Sequence, residues 1–371
     1  MKPAGTPAYR LTSNCIWNSF RSSGKRHLLL TGGRGSGKST LLSQLFPEKM
    51  PGITTWAVPG QSVWLRDNQT GEQLQVGVFD SAQPGTENKM QPIRSAFDGF
   101  ASGLLRAYAR EGSGFLVIDE IGYLETESTA YCQALWELMD SRPIAATVRK
   151  QEIPFLRQLL EREDVFVVDL DDPFGPLGCV IMASGEGKRF GGNKLMAPFH
   201  GKPMIQWTLE ATEGIFAQRV VVTRHEVVAL LCKNLGIPAV LHSEPFRSDT
   251  VRLGMTAMDA NLTGCFFCPG DQPLLKWDTV AALALCAKNS PLSIWRTAHE
   301  NTPGSPVCFP AEFFDSLCHL PQGQGGNAII RQHPEQVSYL DVPDGRELLD
   351  VDTPDVLEYL ESMPFSREKS Y

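Results

Sequence analysis

One octapeptide limits what this chain can fold into more than any other stretch. Gly32-Gly33-Arg34-Gly35-Ser36-Gly37-Lys38-Ser39 spells out G-x-x-x-x-G-K-S. The preceding His27-Leu28-Leu29-Leu30-Thr31 has the character of a buried strand. Thr40, Leu41, Leu42, Leu45 and Phe46 then continue as a helix that Pro47 stops. Strand, glycine loop and helix together form the context in which such a loop binds phosphate. Gly32, Gly33, Gly35, Ser36, Gly37 and Thr40 are therefore candidate nucleotide contacts. Loop amides would cradle the β-phosphate, Lys38 would reach the β- and γ-phosphates, and Ser39 would ligate Mg²⁺. The helix N-terminus adds a favourable dipole.

Downstream, Phe115-Leu116-Val117-Ile118-Asp119-Glu120 is an apolar strand ending in two acids. Asp119 is expected to hold Mg²⁺ through water, and Glu120 to orient or deprotonate an attacking water. Strands are expected at 62–66 and 74–79, joined by the turn Asn68-Gln69-Thr70-Gly71. Helices at 94–109, around Leu135 and around Leu156 alternate with strands at 144–147 and 165–168, which predicts an α/β sheet.

A second phosphate-type loop opens the other half. Cys179-Val180-Ile181-Met182-Ala183 reads as a buried strand and runs into Ser184-Gly185-Glu186-Gly187-Lys188-Arg189-Phe190-Gly191-Gly192-Asn193-Lys194. Glycines permit close backbone approach to a ligand, and Lys188, Arg189 and Lys194 supply positive charge. Further buried strands are expected at 219–223, 238–241 and 264–268, with a helix at 203–211. Ligands of such sheets bind at the carboxyl ends of the strands. Asp271 would stand there as a Mg²⁺ ligand opposite the cationic loop. The polar loop Arg247-Ser248-Asp249-Thr250 is expected to lead into a helix, and Gly304–Val307 to precede a strand. Asp350 and Asp352 would share one strand face, where either could assist the metal or Asp352 could only shape the turn before the Thr353-Pro354 helix start. Cys265 and Cys268 make a C-x-x-C inside an apolar run, a placement that favours core packing over a metal site. His242 and His299 read as loop residues rather than catalysts.

The chain has 371 residues, enough for two domains. Asp171-Asp172-Pro173-Phe174-Gly175-Pro176 has boundary composition. The expected division is a tail at 1–24 with one short helix carrying Ile16, Trp17 and Phe20, a phosphate-loop domain at 25–172, a linker at 173–177, and a second domain at 178–371. A net charge of −8 argues against a general nucleic-acid surface. No apolar run approaches the ~20 residues of a membrane span. Nine scattered cysteines, with no signal-peptide pattern, lead us to expect reduced thiols in a cytoplasmic protein.

Residues 25–172 resemble the small nucleoside-triphosphatases called cancer-related or thermostable NTPases. The matching pieces are T-G-G-R-G-S-G-K-S-T at 31–40, G-I-T-T at 52–55 and V-I-D-E-I-G-Y-L-E at 117–125. Tyr123 and Leu124 replace the family's usual Pro and Met, and Glu125 is kept. The resemblance implies nucleotide binding and hydrolysis with a broad preference, so that ATP binding is expected but no base is singled out.

Residues 178–360 resemble the MobA-like transferases that attach a nucleotide to molybdopterin. The pieces are A-S-G-E-G-K-R-F-G-G-N-K-L at 183–195, S-D-T-V-R-L-G at 248–254, P-G-D-Q-P at 269–273 and D-V-D-T-P at 350–354. Ala183-Ser184-Gly185 and Gln272 resemble the cytidylyl branch more than the guanylyl branch, with Ser184 standing where that branch often has Ala. The resemblance implies a Rossmann-like nucleotidyltransferase in which Ala183, Ser184, Gly185, Gly187, Ser248 and Asp249 contact CTP or another NTP. Arg189, Lys194 and Asp271 would carry transfer to a molybdopterin-type acceptor. It further implies service to molybdenum hydroxylases, with an apo molybdenum hydroxylase as recipient. The rival readings are a guanylyltransferase, a sugar-phosphate nucleotidyltransferase, and a nucleotide-gated carrier that inserts finished cofactor.

Overall fold

The computed structural model describes residues 11–80 and 90–364. It divides into two compact units. One is Gly24–Pro173, and the other joins Phe174–Tyr371 to the chain's opening segment Met1–Ser23.

The Gly24–Pro173 unit is built on one sheet of eight strands. They are β1 (His27–Gly32), β2 (Gly52–Val58), β3 (Ser62–Asp67), β4 (Gln73–Phe79), β5 (Met90–Pro92), β6 (Leu116–Ile121), β7 (Ile144–Arg149) and β8 (Val165–Asp169). Their order is β5-β4-β3-β2-β6-β7-β1-β8. The run from β2 to β8 is parallel, and β3, β4 and β5 extend it antiparallel. Every residue of β1 is buried, which is why it reads as an unbroken apolar run. The helix Lys38–Leu45 follows β1 directly, with Gly37 as its left-handed N-cap at φ 92°. Sequence reading missed β2. Gly-Ile-Thr-Thr-Trp-Ala-Val mixes buried, half-buried and exposed positions, so neither an apolar run nor clean alternation marks it.

The second unit carries a seven-stranded sheet. Its strands are β9 (Leu177–Ala183), β12 (Gln218–Thr223), β13 (Ala239–Leu241), β14 (Gly264–Pro269), β15 (Ile294–His299), β16 (Thr302–Pro310) and β17 (Val337–Asp341). The two-residue strands β10 (Pro198–Phe199) and β11 (Lys202–Pro203) pair apart from it. The order is β13-β12-β9-β14-β16-β15-β17, with β16 antiparallel to both neighbours. Gly304–Val307 therefore lies inside a strand rather than before one. Gly254 is required where the helix Arg247–Thr256 crosses β9. A Cβ there would stand 2.5 Å from Cγ1 of Val180.

The helix Trp277–Asn289 is buried along Thr279–Ala287, on every side. A helix without a polar face needs a layer on both flanks. The sheet supplies one through β15 and β16. The other is the helix Ser13–Ser23, which also contacts β17. Its buried residues Cys15, Ile16, Ser19 and Phe20 form one stripe. Thr12 Oγ1 donates to Asp278 at 2.8 Å, Cys286 Sγ to the Ser19 carbonyl at 3.4 Å, and Asn18 Nδ2 to the Asp341 carbonyl at 3.0 Å.

The expected tail is thus corrected in its described part, residues 11–23. It is a core element of the second unit, and the Gly24–Pro173 unit is inserted behind it. Ile16 is fully buried, so Ile16→Ala is expected to cost about 2–5 kcal/mol. Hydrogen exchange should then quicken in Trp277–Asn289 and β17 while β1 and β7 keep their protection. Unchanged exchange in all four would mean that the first helix contributes nothing to the second unit.

Candidate active sites

In the first unit the glycine loop bends from β1 into its helix. Lys38 is 8% exposed and folds back on the loop, its ammonium donating to the carbonyls of Gly32 and Gly33 at 2.9 and 3.0 Å. Gly33 N–H donates to Asp171 at 2.9 Å. Asp171 in turn pairs with Lys150. Among the described residues the buried Ser36 hydroxyl has no hydrogen-bond partner, a donor suited to a phosphate oxygen. Ser39 Oγ donates to Asp119 Oδ1 at 2.9 Å, and Thr147 Oγ1 donates to the same oxygen at 2.6 Å. A hydroxyl and a carboxylate brought this close are hard oxygen donors that fit Mg²⁺. They line a cleft of about 410 Å³ together with Thr54, Arg66 and Asn68.

Glu120 lines a separate cavity of about 80 Å³ with Tyr123, Glu125 and Arg149. Its carboxylate accepts from Arg149 Nε at 3.0 Å. Glu125 is 4% exposed and accepts from Gly122 N–H at 2.8 Å. Burial raises its carboxyl to about 7, against the opposing pull of that backbone bond.

In the second unit β9 delivers Ala183 to the sheet's carboxyl edge, where the second glycine loop begins. Gly187 is at φ 64°, and a Cβ on it would meet the Gly192 carbonyl oxygen at 2.0 Å. Only glycine lets the loop close on itself here. Phe190 and Gly191 both donate their amides to the Gly187 carbonyl.

That closure leads to Lys194, whose side chain is 10% exposed. Its ammonium lies 2.6 Å from Asp271 Oδ2 and 2.8 Å from Asp352 Oδ1. Arg189, mostly exposed, reaches Asp352 Oδ2 at 2.8 Å. Burial alone would lower the Lys194 pKa, but the two carboxylates carry it above the usual lysine value. The Lys194 hydrogen bond holds Asp352 below the usual carboxylate value. Asp350 is pushed up instead, by burial first and by the Asp271 charge second, and it accepts from Gln272 Nε2 at 3.0 Å. Asp350 and Asp352 lie on an irregular segment and not on one strand face, which corrects the expectation. That segment is tied down by Val351 N–H donating to the Asp271 carbonyl at 3.0 Å.

Residues 27–173 match the NTPase family, and residues 179–337 match the family described as MobA-like NTP transferase domain. The chain is an NTPase domain followed by a MobA-like NTP transferase domain. Two relatives of the transferase domain are probable molybdenum cofactor guanylyltransferases. That of Aquifex aeolicus is 27% identical over 124 residues, 33% of this chain and 60% of the relative. That of Bacillus licheniformis is 34% identical over 109 residues, 28% of this chain and 53% of the relative. A third relative is 3-deoxy-manno-octulosonate cytidylyltransferase 1 of Hydrogenovibrio crunogenus, 31% identical over 125 residues, 33% of this chain and 48% of the relative. The chain thus spans about half to three-fifths of the length of these relatives.

The transferase domain gathers Arg189, Lys194, Asp271 and Asp352, and the NTPase domain gathers Gly32, Gly33, Lys38, Ser39 and Asp119. Glu120 is not in that second group, because Arg149 holds it in the neighbouring cavity. Arg247–Thr250 form the first turn of a helix rather than a loop. There the Ser248 hydroxyl accepts from Gly323 N–H at 3.2 Å, and Asp249 accepts from Phe246 N–H, capping the helix. Among the described residues no hydrogen bond ties either of them to Lys194 or Asp271. Cys265 and Cys268 are both fully buried, and Cys268 Sγ lies 3.6 Å from Cys179 Sγ. No group of three or more metal-ligating side chains forms among the described residues.

His299 ends strand β15, its ring nitrogen 2.7 Å from the Val342 carbonyl. His242 is not a bystander, since its Nε2 lies 2.8 Å from Ser184 Oγ. Sequence reading also missed Arg149, Asp171, Arg224 and His225. The last two stand just past the carboxyl end of an apolar strand, a place where a ligand-facing role is legible.

Glu125 gives a pH test. Well below its ordinary value of 4.5 it is protonated folded and unfolded, so it adds no pH dependence there. As pH rises to about 7 the unfolded chain ionises first, and stability falls. Above that the penalty levels off on the order of 3 kcal/mol. The melting-temperature advantage of Glu125→Gln over the parent should therefore widen from pH 5 to pH 8. A gap that does not change with pH would show that Glu125 does not titrate in this window.

Proposed function

We propose that the transferase domain is a molybdenum cofactor cytidylyltransferase, joining CTP to a molybdopterin-type acceptor. The observation that carries the reading is Lys194 held between Asp271 and Asp352 at the end of the second glycine loop. A terminal phosphate oxygen of the acceptor attacks the α-phosphorus of the nucleotide. The bond from that phosphorus to the bridging β-phosphate oxygen breaks, and pyrophosphate leaves. Lys194 and Arg189 offset the charge that builds on the phosphates, and Asp271 and Asp352 are the carboxylates suited to Mg²⁺. When bound, Mg²⁺ would polarise the phosphates and align the leaving group. Ala183, Ser184, Gly185 and Gly187 bring loop backbone to the nucleotide, with Ser248 and Asp249 assigned to its far side. No covalent protein nucleophile is needed, because such transfer is positioning and electrostatics.

Ala183-Ser184-Gly185 and Gln272 favour CTP. The names of two relatives favour GTP, and that of the third favours a sugar-acid acceptor. The NTPase domain binds and hydrolyses a nucleoside triphosphate such as ATP. Lys38 holds the phosphates and Ser39 and Asp119 hold Mg²⁺, whereas Glu120 must leave its pairing with Arg149 to reach the attacking water. Its fusion to the transferase suits gated delivery of finished cofactor to an apo molybdenum hydroxylase. All nine cysteines are free thiols, which supports a cytoplasmic location. Among the described residues no helix is long and apolar enough to cross a membrane.

The deciding experiment measures pyrophosphate release from molybdopterin with CTP, GTP or ATP in turn, in a Lys38→Ala background that silences the phosphate loop. Release with CTP is expected. Release with GTP alone would make the domain a guanylyltransferase. Release with a sugar-acid acceptor, and none with molybdopterin, would overturn the cofactor assignment. In the full chain with Lys38 intact, Asp271→Ala should lower transfer by about 10²–10³-fold and spare Lys38-dependent hydrolysis.

A further inference from the structure

The transferase loop is held by residues to which none of the roles above has been given. Thr223, Arg224 and His225 stand where β12 ends, and His242 follows β13. Together they engage four consecutive loop residues. Thr223 Oγ1 donates to the Ala183 carbonyl at 2.9 Å. Arg224 Nε donates to the Ser184 carbonyl at 2.8 Å, and its Nη1 reaches Glu186 at 3.3 Å. His225 Nε2 donates to the Gly185 carbonyl at 2.8 Å. The Ser184 hydroxyl donates to the Val222 carbonyl at 3.1 Å, so the nearby His242 Nε2 must be the donor to Ser184 Oγ. Thr223 also accepts from His225 N–H at 3.1 Å, which links the holders to one another.

The consequence follows from the peptide plane. The described residues contain only two cis bonds, Asp119–Glu120 and Ser305–Pro306, so the peptides after Ser184 and Gly185 are trans. In a trans peptide the carbonyl of one residue and the N–H of the next point in opposite directions. With the Ser184 and Gly185 carbonyls drawn onto Arg224 and His225, the N–H groups of Gly185 and Glu186 turn the other way. A free glycine loop would present carbonyl lone pairs to an anion as readily as amides. Held in this way, it presents amides.

We infer that Arg224 and His225 are positioning residues for nucleotide binding. They clamp the carbonyls of the transferase loop so that its amides are set for the phosphates and base edge of an incoming nucleoside triphosphate. The inference rests on the nucleotidyltransferase reading above, and it adds that two side chains act on affinity for the donor nucleotide through the loop backbone.

The test uses the full chain carrying Lys38→Ala, titrated calorimetrically with CTP, GTP and ATP in the presence of Mg²⁺. Arg224→Ala and His225→Ala should each weaken binding on the order of tenfold, as loss of a charged or strongly placed hydrogen bond implies. KM for the nucleotide should rise in step, with kcat held within about twofold and the melting temperature unmoved. His225→Gln should restore most of the affinity, because its side-chain amide can donate to the same carbonyl. Arg224→Lys should restore only part, because an ammonium lacks the planar fork that spans Ser184 and Glu186.

Unaltered binding in both alanine variants would overturn the clamp and leave the transferase reading standing. Weaker binding with a lowered melting temperature and no rescue by His225→Gln would also overturn it, in favour of a purely structural role. If the Lys38→Ala parent binds none of the three nucleotides, the transferase reading fails and the clamp falls with it.

Discussion

The transferase site depends on one buried ammonium shared by two carboxylates. Lys194 comes from the glycine loop, Asp271 from the end of β14, and Asp352 from the segment before the last helix. These three pieces of chain are far apart in sequence, and each would repel or desolvate the others without the exchange of charge. Two carboxylates this close cannot both stay ionised cheaply unless a cation lies between them. Removing the lysine would leave them uncompensated, which costs more than the pair contributes when intact. The same cation holds Asp352 below the usual carboxylate value, while Asp350 is pushed up by burial first and by the Asp271 charge second. Sequence left these two acids equivalent, and the difference between them is the stronger desolvation of Asp350 together with the direct lysine contact of Asp352.

The NTPase domain solves a similar problem with hydroxyls. Asp119 accepts from Ser39 and from Thr147, so its charge is met by two O–H dipoles rather than by a cation. That leaves the carboxylate suited to a divalent metal. The acid next to it is treated in the opposite way. Glu120 is matched to Arg149, and Arg149 also stacks over Tyr123 at 5.7 Å. Two neighbouring acids at the end of one strand thus sit in two electrostatic surroundings.

What was legible in the sequence was whatever is local. Both glycine loops, the strands feeding them and the acids at Asp119 and Asp271 follow from short-range pattern. So did the burial of Cys265 and Cys268, because an apolar run on both sides of a cysteine pair is a packing signal. What was not legible depends on partners far away in the chain. Ser248 and Asp249 look like loop residues until the Gly323 amide and the Phe246 amide are seen to use them. Ile16 and Phe20 look like a weak stripe on a tail until Trp277–Asn289 provides the surface they cover. Arg224 and His225 are a basic pair after a strand, a common pattern, and only their carbonyl partners on the loop give them a purpose.

The order of segments has its own consequence for how the molecule forms. The NTPase domain is continuous from Gly24 to Pro173, and its parallel strands all lie within that span. It can complete its core while the rest of the chain is still being made. The transferase unit cannot, since its first helix waits for a partner more than 250 residues later, as the Thr12–Asp278 bond illustrates. Until that partner arrives the apolar stripe of Cys15, Ile16 and Phe20 has nothing to cover it. Exposed apolar surface of that kind makes a folding chain prone to association. The helix is short, only 11 residues, and carries a single buried stripe. A longer or more apolar helix would bind Trp277–Asn289 more tightly but would be harder to keep apart from other chains during the wait. Its single narrow stripe limits the apolar surface that stands uncovered until Trp277–Asn289 is made.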